Sequence, residues 1–233
     1  MHAGERVSKP RIALFDLDHT LLPIDSDYTW GEFTQEIGWT DRVEFKRRND
    51  QFYAHYVAGT LDVHDYVRFA TEALRLKGAA AYADAHARFM RQHILPLRAA
   101  AVDLVRSHQQ AGDAVAIVTA TNELVTRPIA EAFGVPELIA VDLVRDAGGW
   151  ITGEIAGVPS MREGKVVRVA DWLRARGQDW LDVETTFYSD STNDLPLLEK
   201  VDHPVATNPD PRLRAIALER GWRILDLFTD TND

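Results

Sequence analysis

Residues 12–20 read Ile-Ala-Leu-Phe-Asp-Leu-Asp-His-Thr, an apolar run that leads directly into two aspartates. A short apolar run that ends in acidic residues is typical of a strand buried on both faces that opens into a polar loop. Helix-compatible segments follow this run and others like it, as in parallel sheets built from strand-helix units. We therefore predict an α/β fold with a Rossmann-like parallel sheet. Two further runs share the pattern, Val115 to Val118 before Thr119 and Thr185 to Tyr188 before Ser189 and Asp190.

The polar residues that end these runs are expected to meet in space. Ligands of open parallel sheets bind outside the carboxyl ends of the strands. Asp16, Thr119 and Asp190 should therefore share one edge of the sheet. Two later apolar runs, Val201 to Ala206 and Trp222 to Leu225, predict further strands.

A long helical segment separates the first two predicted strands. Its apolar residues recur at helical spacing, and glycines punctuate the pattern. We therefore expect a helical cap domain at 23–93, inserted after the first strand into a Rossmann-like core made of 11–22 and 94–228. The helical positions include Phe52, Tyr53, Tyr56 and Val57, then Val63, Tyr66, Val67, Ala70 and Leu74, and the punctuating glycines are Gly38, Gly59 and Gly78.

Two elements are expected in the core after the cap. Apolar positions from Leu97 to His108 predict a helix that ends near Gly112. The segment from Leu138 to Glu154, with Ala147-Gly148-Gly149 at its middle, predicts a hairpin that projects from the sheet.

Composition narrows the class of protein. The chain has 233 residues, with 26 Lys and Arg against 36 Asp and Glu, a formal net charge of −10. Such a charge disfavours nucleic-acid and anionic-membrane partners, so a small partner is expected. The absence of cysteine excludes disulfides, a thiol nucleophile and a thiolate metal site.

The first ten residues lack a signal peptide and no apolar run is long enough to span a bilayer, so a cytoplasmic location is expected.

The pair Asp16 and Asp18 is the first candidate for chemistry. Two carboxylates two positions apart beyond a strand can turn toward one point, so that one attacks while the other handles protons. The alternative is that Asp18 caps a turn and Asp16 is an exposed loop acid.

Asp190 and Asp194 form a second acidic group, again just beyond a predicted strand. Several carboxylates gathered at one edge repel each other unless a cation compensates. With oxygen ligands and no cysteine, that cation is expected to be Mg²⁺. Alternatively, Asp194 caps a helix that starts at Leu195-Pro196, and both roles can hold together.

Two further candidates suit an anion. Thr119 ends a predicted strand, and the amides that follow it, from Ala120 onward, are expected to open a helix, where backbone N–H groups bind phosphate. The alternative is that Thr121 or Asn122 simply caps this helix and that the segment binds no phosphate. Lys165 stands at a predicted helix start, where a cation is electrostatically misplaced unless something anionic lies nearby, and the alternative is an exposed lysine.

Taken together, these residues resemble the haloacid dehalogenase superfamily of phosphohydrolases, in particular its subfamily IB, which contains phosphoserine phosphatases. The resemblance rests on four motifs in order: Asp16-Leu17-Asp18-His19-Thr20, Thr119, Lys165, and Asp190 with Asp194. It covers about Arg11 to Leu225, and the helical segment resembles the family's first-position cap.

The resemblance implies a phosphatase that works through an aspartyl phosphate on Asp16, with Asp18 as general acid and base. Mg²⁺ is then expected on Asp16, the backbone carbonyl of Asp18, and Asp190, with Asp194 binding it directly or through water. Thr119, Ala120, Lys165 and Asn193 are expected to bind the phosphate. The rival hypothesis is a regulatory protein that binds phosphate on this fold without turnover.

The expected substrate is a small phosphorylated metabolite, either phosphoserine-like or an amino-alcohol phosphate such as histidinol phosphate. Phosphoserine phosphatases carry a glutamate where this chain has Asp25, and a cap arginine for which Arg68 is only a neighbour in sequence. Asp25 and Asp27, with Trp30 and Trp39, suit an amine and a flat ring, as in the histidinol phosphate that related phosphatases accept. Alternatively, the tryptophans are part of the helical core. A monomer or homodimer is expected.

Overall fold

A computed structural model describes residues 9–57 and 60–228, without the side chains of Tyr53, Tyr56 and Val57. The predicted break at Gly59 and the helical positions of those three side chains lie outside the described part of the chain. Within the described residues, no helix is long and apolar enough to cross a membrane.

The described residues form eight strands and nine α-helices, with a run of helices between the first two strands. A π-helical turn at Met90–Ile94 extends the fourth helix, and a 3₁₀ turn at Thr192–Asp194 precedes the eighth. The strands are β1 (Arg11–Phe15), β2 (Ala114–Asn122), β3 (Leu138–Val141), β4 (Leu143–Arg145), β5 (Ile151–Ile155), β6 (Glu184–Ser189), β7 (His203–Thr207) and β8 (Arg223–Leu225). The α-helices are α1 (Ser26–Glu36), α2 (Arg42–Val57), α3 (Val63–Ala70), α4 (Glu72–Phe89), α5 (Ala99–Gln110), α6 (Glu123–Ala132), α7 (Glu163–Ala175), α8 (Leu195–Leu198) and α9 (Pro211–Arg220).

Six strands form one parallel sheet in the order β3-β2-β1-β6-β7-β8, which confirms the predicted α/β fold. The first strand lies inside the sheet, where Phe15 is in register with Ile117 of β2 and Tyr188 of β6. The ends of β1 and β6 therefore lie close together, while β2 runs on beyond them to Asn122. As a result, the chain leaves β1 at Asp16 beside β2, which contains Thr119, and beside the end of β6, which Asp190 follows.

Apolar side chains of β1 alternate between the two faces of the sheet, as expected for a strand. Ala13 and Phe15 belong to one buried cluster, and Ile12 and Leu14 belong to another. Both faces are covered, which explains why the whole run is apolar.

The helices α1 to α4 lie between β1 and β2, where a helical insertion was expected. Gly38 has a φ of 72° just after α1, and Gly78, with a φ of 80°, interrupts α4. Trp30 and Phe89 of this segment belong to the same apolar cluster as Phe15 of the sheet. The division into a cap at 23–93 and a core stays a prediction.

The predicted hairpin is wrong in extent. Residues Leu138–Val141 are the edge strand β3, parallel to β2, and only β4 and β5 pair as an antiparallel hairpin. Ile139, Ala140 and Val141 are all buried, which suits a strand inside a layered sheet better than a projecting one.

Candidate active site

The exits of the parallel strands bring the candidate residues to one edge of the sheet. Asp16 follows β1, and its backbone N–H donates to the carbonyl of Tyr188 on β6 at 2.9 Å. Thr119 lies within β2, and Asp190 follows β6. Lys165 enters from the first turn of α7.

Lys165 is almost fully buried and bonds two carboxylates. Its Nζ lies 2.8 Å from Asp16 Oδ1 and 2.8 Å from Asp194 Oδ2. Burial lowers the pKa of Lys165, but the two carboxylates more than offset this, and the net pKa lies above its usual value. These carboxylates account for a lysine at the positive end of a helix.

Asp194 uses its carboxylate for this ion pair rather than as a cap. It occupies the N-cap position of α8, yet its side chain makes no capping hydrogen bond. Instead it accepts from Lys165 and from Ser189 Oγ at 2.8 Å. Burial raises the pKa of Asp194, although Lys165 opposes that rise.

Asp190 and Asp16 both contact the hydroxyl group of Thr20. Thr20 Oγ1 is 3.2 Å from Asp16 Oδ2 and 3.2 Å from Asp190 Oδ1. Burial and the charges of Asp16 and Asp194 raise the pKa of Asp190 to about 8. A cation at this place would relieve that repulsion.

Asp18 is held by hydrogen bonds on both of its oxygens. Oδ1 accepts from the backbone N–H of Ser26 at 2.8 Å, and Oδ2 accepts from Thr121 Oγ1 at 2.9 Å. Burial and the neighbouring charge of Asp25 raise the pKa of Asp18 to about 8. Near neutral pH this carboxyl group can therefore hold a proton and give it up, as a general acid requires.

The end of β2 differs from the expectation. The strand runs on to Asn122, and α6 begins only at Glu123, so the amides after Thr119 do not open a helix directly. Asn122 is the cap, because its side chain accepts from the N–H groups of Leu124 and Val125. Thr119 is buried and accepts from the Thr121 amide, while Ala120 is exposed.

Asn193 lies in the 3₁₀ turn between Asp190 and Asp194 and is partly buried. Its backbone N–H donates to Ser191 Oγ at 3.2 Å. This turn keeps Asn193 on the loop that follows β6, beside the carboxylates.

The two candidate specificity residues occupy different environments. Asp25 is partly exposed and caps α1 by accepting from Tyr28 N. Trp30 is only 2% exposed and stacks on His86 at 5.3 Å. This burial favours a role in the core over a direct contact with substrate.

Several contacts of the site were not found from the sequence. Besides Thr20 and Thr121, Asn208 donates from Nδ2 to the carbonyls of His19 and Thr20, which fixes the loop after β1. Tyr66 donates to Asp27 Oδ2 at 2.5 Å. Of these contacts, only the one between Thr20 and Asp16 joins residues of the same sequence motif, so only this contact had a local signal in the sequence. The other contacts join residues that are far apart in the chain.

The donor set fits a hard cation. Among residues 9–57 and 60–228, no group of three or more His, Cys, Asp or Glu side chains is arranged to hold a metal. Asp16 and Asp190, which both contact the Thr20 hydroxyl, would supply two carboxylate ligands. Backbone carbonyls and waters would complete the coordination shell of the cation. Mg²⁺ binds in this way, through few carboxylates and several waters.

Comparison with known proteins identifies the family of this chain. The pattern of the haloacid dehalogenase-like hydrolases matches residues 13–199. A histidinol-phosphatase of Neisseria meningitidis serogroup C (strain 8013) is 39% identical over 217 residues, which are 92% of this chain and 98% of that protein.

Two solved structures have the same fold. A protein of unknown function from Bordetella pertussis Tohama I is 50% identical, with a TM-score of 0.90, over 95% of this chain and all of the other. A phosphoserine phosphatase, described as a phospho-aspartyl intermediate analogue, has a TM-score of 0.63 at 20% identity over 96% of each chain. At that identity the second match supports the fold alone.

A parallel sheet with acidic loops and a buried lysine at its carboxyl edge defines a hydrolase of the haloacid dehalogenase type. The chain belongs to the haloacid dehalogenase-like hydrolase family. Within that family it is a phosphatase. The rival hypothesis of a protein without turnover is therefore set aside.

Proposed function

We propose that this phosphatase hydrolyses a small amino-alcohol phosphate with Mg²⁺, by transferring the phosphoryl group to Asp16. One observation carries the proposal: Asp16 lies at the end of β1, 2.8 Å from the buried ammonium group of Lys165 and across Thr20 from Asp190. A carboxylate in this position is held by an ammonium group and is next to a place for a cation.

Asp16, Asp190 and the backbone carbonyl of Asp18 would hold Mg²⁺, with Asp194 acting directly or through water. When bound, the cation neutralises charge on the phosphoryl oxygens. Lys165 adds a second positive charge at the same place, fixed by Asp194. Phosphate esters hydrolyse very slowly in water, so this neutralisation supplies much of the rate enhancement.

Asp18 handles the protons in two steps. In the first, the Asp16 carboxylate attacks phosphorus, and the protonated Asp18 donates its proton to the oxygen of the leaving alcohol. In the second, the ionised Asp18 takes a proton from the water that attacks the aspartyl phosphate, which releases phosphate and restores both carboxyl groups.

The phosphate would lie between the end of β2, which carries Thr119 and Ala120, and the loop that follows β6. Thr119, the exposed backbone at Ala120 and the side chain of Asn193 would donate to its oxygens, together with Lys165. The helices α1 to α4 would act as a cap that excludes water, with residues 23–93 as the cap and 11–22 with 94–228 as the core.

A cationic substrate is supported by the acidic surroundings of Asp18. The charge of Asp25 acts on Asp18, and it also contributes to the raised pKa of Asp27. The sequence has no clear match to the carboxylate-binding arginine of phosphoserine phosphatases, and its neighbour Arg68 is paired with Asp65 and Glu154. An amine without a carboxylate fits this arrangement better than phosphoserine, and the Neisseria relative is a histidinol-phosphatase.

The proposal is tested by phosphate release with Mg²⁺ from histidinol phosphate, phosphoserine and p-nitrophenyl phosphate. We expect the highest kcat/KM for histidinol phosphate. Asp16→Asn should abolish turnover of all three, because the amide cannot take the phosphoryl group. Asp171→Asn, a change on the exposed face of α7, is the matched control and should turn over normally.

The outcomes separate the two parts of the proposal. Turnover by Asp16→Asn at the native rate would refute the nucleophile. A higher kcat/KM for phosphoserine than for histidinol phosphate would refute the substrate class but leave the assignment of the nucleophile intact.

In Asp25→Asn, kcat/KM should fall at least tenfold further for histidinol phosphate than for p-nitrophenyl phosphate, which has no amine.

A further inference from the structure

The second oxygen of Asp18 has a partner that is far away in the chain. Thr121 Oγ1 lies 2.9 Å from Asp18 Oδ2, although the two residues are 103 positions apart. The other oxygen accepts from the N–H of Ser26, at the start of α1. The carboxyl group is therefore held from two sides, by the sheet and by the helical segment.

The position of Thr121 is fixed by its own contacts. Its backbone N–H donates to Thr119 Oγ1 at 3.1 Å, and the residue is 8% exposed. Asn122 caps α6, so the Thr121 hydroxyl is not needed for the start of that helix. The hydroxyl that faces Asp18 therefore has no capping role.

We propose that Thr121 is a positioning residue for the reaction: its hydroxyl holds the carboxyl group of Asp18 toward the leaving oxygen of the substrate. The assignment rests on the proposed role of Asp18 as general acid. A hydroxyl suits this task because it donates to one lone pair of Asp18 Oδ2 and leaves the carboxyl group able to carry a proton toward the leaving oxygen. It can therefore keep its contact with the carboxyl group before and after the proton has moved.

A leaving-group comparison tests this role. Phenyl phosphate needs a proton on its leaving oxygen far more than p-nitrophenyl phosphate does, because nitrophenolate is stable without one. In Thr121→Val, which removes the hydroxyl and keeps the shape, kcat/KM for phenyl phosphate should fall on the order of tenfold further than for p-nitrophenyl phosphate. In Thr121→Ser, which restores a hydroxyl, the ratio of the two kcat/KM values should return to within about twofold of the native ratio.

Thr126→Val is the matched control, because it removes another buried hydroxyl nearby. Thr126 lies on α6, and its Oγ1 donates to the backbone carbonyl of Asn122 instead of to Asp18. Its substitution should leave the ratio of the two kcat/KM values unchanged. A purely structural effect would lower both rates together in either valine variant.

Three outcomes would overturn the inference. One is an equal loss on both phosphates in Thr121→Val, and another is a ratio that Thr121→Ser does not restore. The third is a change of ratio in Thr126→Val as large as in Thr121→Val. If the native protein hydrolyses neither phosphate, or Asp16→Asn matches its rate, the proposed function itself fails, and this result is distinct from the other three.

Discussion

Individual residues of the site were predictable where a strand end or a helix start gives a local signal. Asp16 and Asp190 follow apolar runs, and Lys165 stands at a helix start. The structure brings all three to one edge, although their roles in catalysis stay predictions. The topology rule for parallel sheets was sufficient to place them together.

The partners of those residues could not be predicted in the same way. Thr121 and Asp18 are 103 positions apart, and Lys165 and Asp194 are 29 apart. No short pattern connects such positions, since each contact depends on the packing of a helix or loop against the sheet. For this reason, the sequence left Thr121 as a candidate cap and Asp194 between two roles.

Asp27 provides a prediction about pH and stability. It bonds Tyr66, and burial together with the charge of Asp25 raises the pKa of Asp27 to about 6. The folded state therefore holds a proton on Asp27 between its usual pKa, near 3.8, and about 6, where the unfolded chain does not. The stability that this proton contributes is present at low pH and is lost as the pH rises through about 6.

Asp27→Asn should remove this loss, because the amide does not ionise. Relative to the native protein, the variant should gain about 1 kcal/mol in unfolding free energy between pH 5 and pH 7.5. Urea unfolding at both values measures the change, and Asp103→Asn, at an exposed position on α5, should show none. A difference that does not vary with pH would contradict the prediction.

Among the elements, α7 depends on a close approach of backbone to backbone. A Cβ added to Gly164 would lie 2.0 Å from the carbonyl oxygen of Pro159. Glycine is therefore required just before Lys165, and the helix start must shift if any side chain is added.

Gly164→Ala should displace Lys165 from Asp16 and lower kcat/KM by at least tenfold. It should also cost about 1–3 kcal/mol of stability, as overpacking does. Gly177→Ala is the matched control: its φ of 71° makes alanine strained there, but nothing lies within 4 Å. That variant should lose about 1 kcal/mol and keep its activity. Native activity in Gly164→Ala would contradict the prediction, because it would show that the start of α7 can shift without loss of catalysis.

The extent of the elements was harder to predict than their existence. The strands around Asp16 and Asp190 were located to within a residue at each end, but β2 was expected to stop at Val118 and continues to Asn122. The residues at its end, from Thr119 to Asn122, are mostly polar and lack the apolar pattern typical of a buried strand. They remain extended because Asn122 pairs with Val141 of β3 after a register shift.

At the scale of the whole molecule, one apolar cluster joins the helical segment to the sheet. Phe33 of α1 and Phe15 of β1 belong to it, whereas Leu173 of α7 belongs to the cluster on the opposite face. Because the strands of one sheet contribute to both clusters, we expect the two clusters to be lost together on unfolding.

We therefore expect a single unfolding transition. Far-ultraviolet circular dichroism and tryptophan fluorescence should give the same midpoint in urea. Phe33→Ala and Leu173→Ala should each lower that shared midpoint, with losses of about 2–5 kcal/mol. Two separate midpoints, or a change in only one signal, would mean that the helical segment unfolds as an independent unit.

The fold class could be predicted at this scale, but the order of the strands could not. Apolar runs indicate which segments are buried strands and, with helices between them, that the strands are parallel. The order β3-β2-β1-β6-β7-β8 depends on pairings between distant segments, such as β1 with β6. The same limit explains why Leu138–Val141 was assigned to a hairpin.

The two outermost strands of the sheet are short, four residues in β3 and three in β8. Each border thus presents few unsatisfied amide and carbonyl groups to a neighbouring chain. We therefore expect little strand-to-strand pairing between molecules at either border, even at high protein concentration.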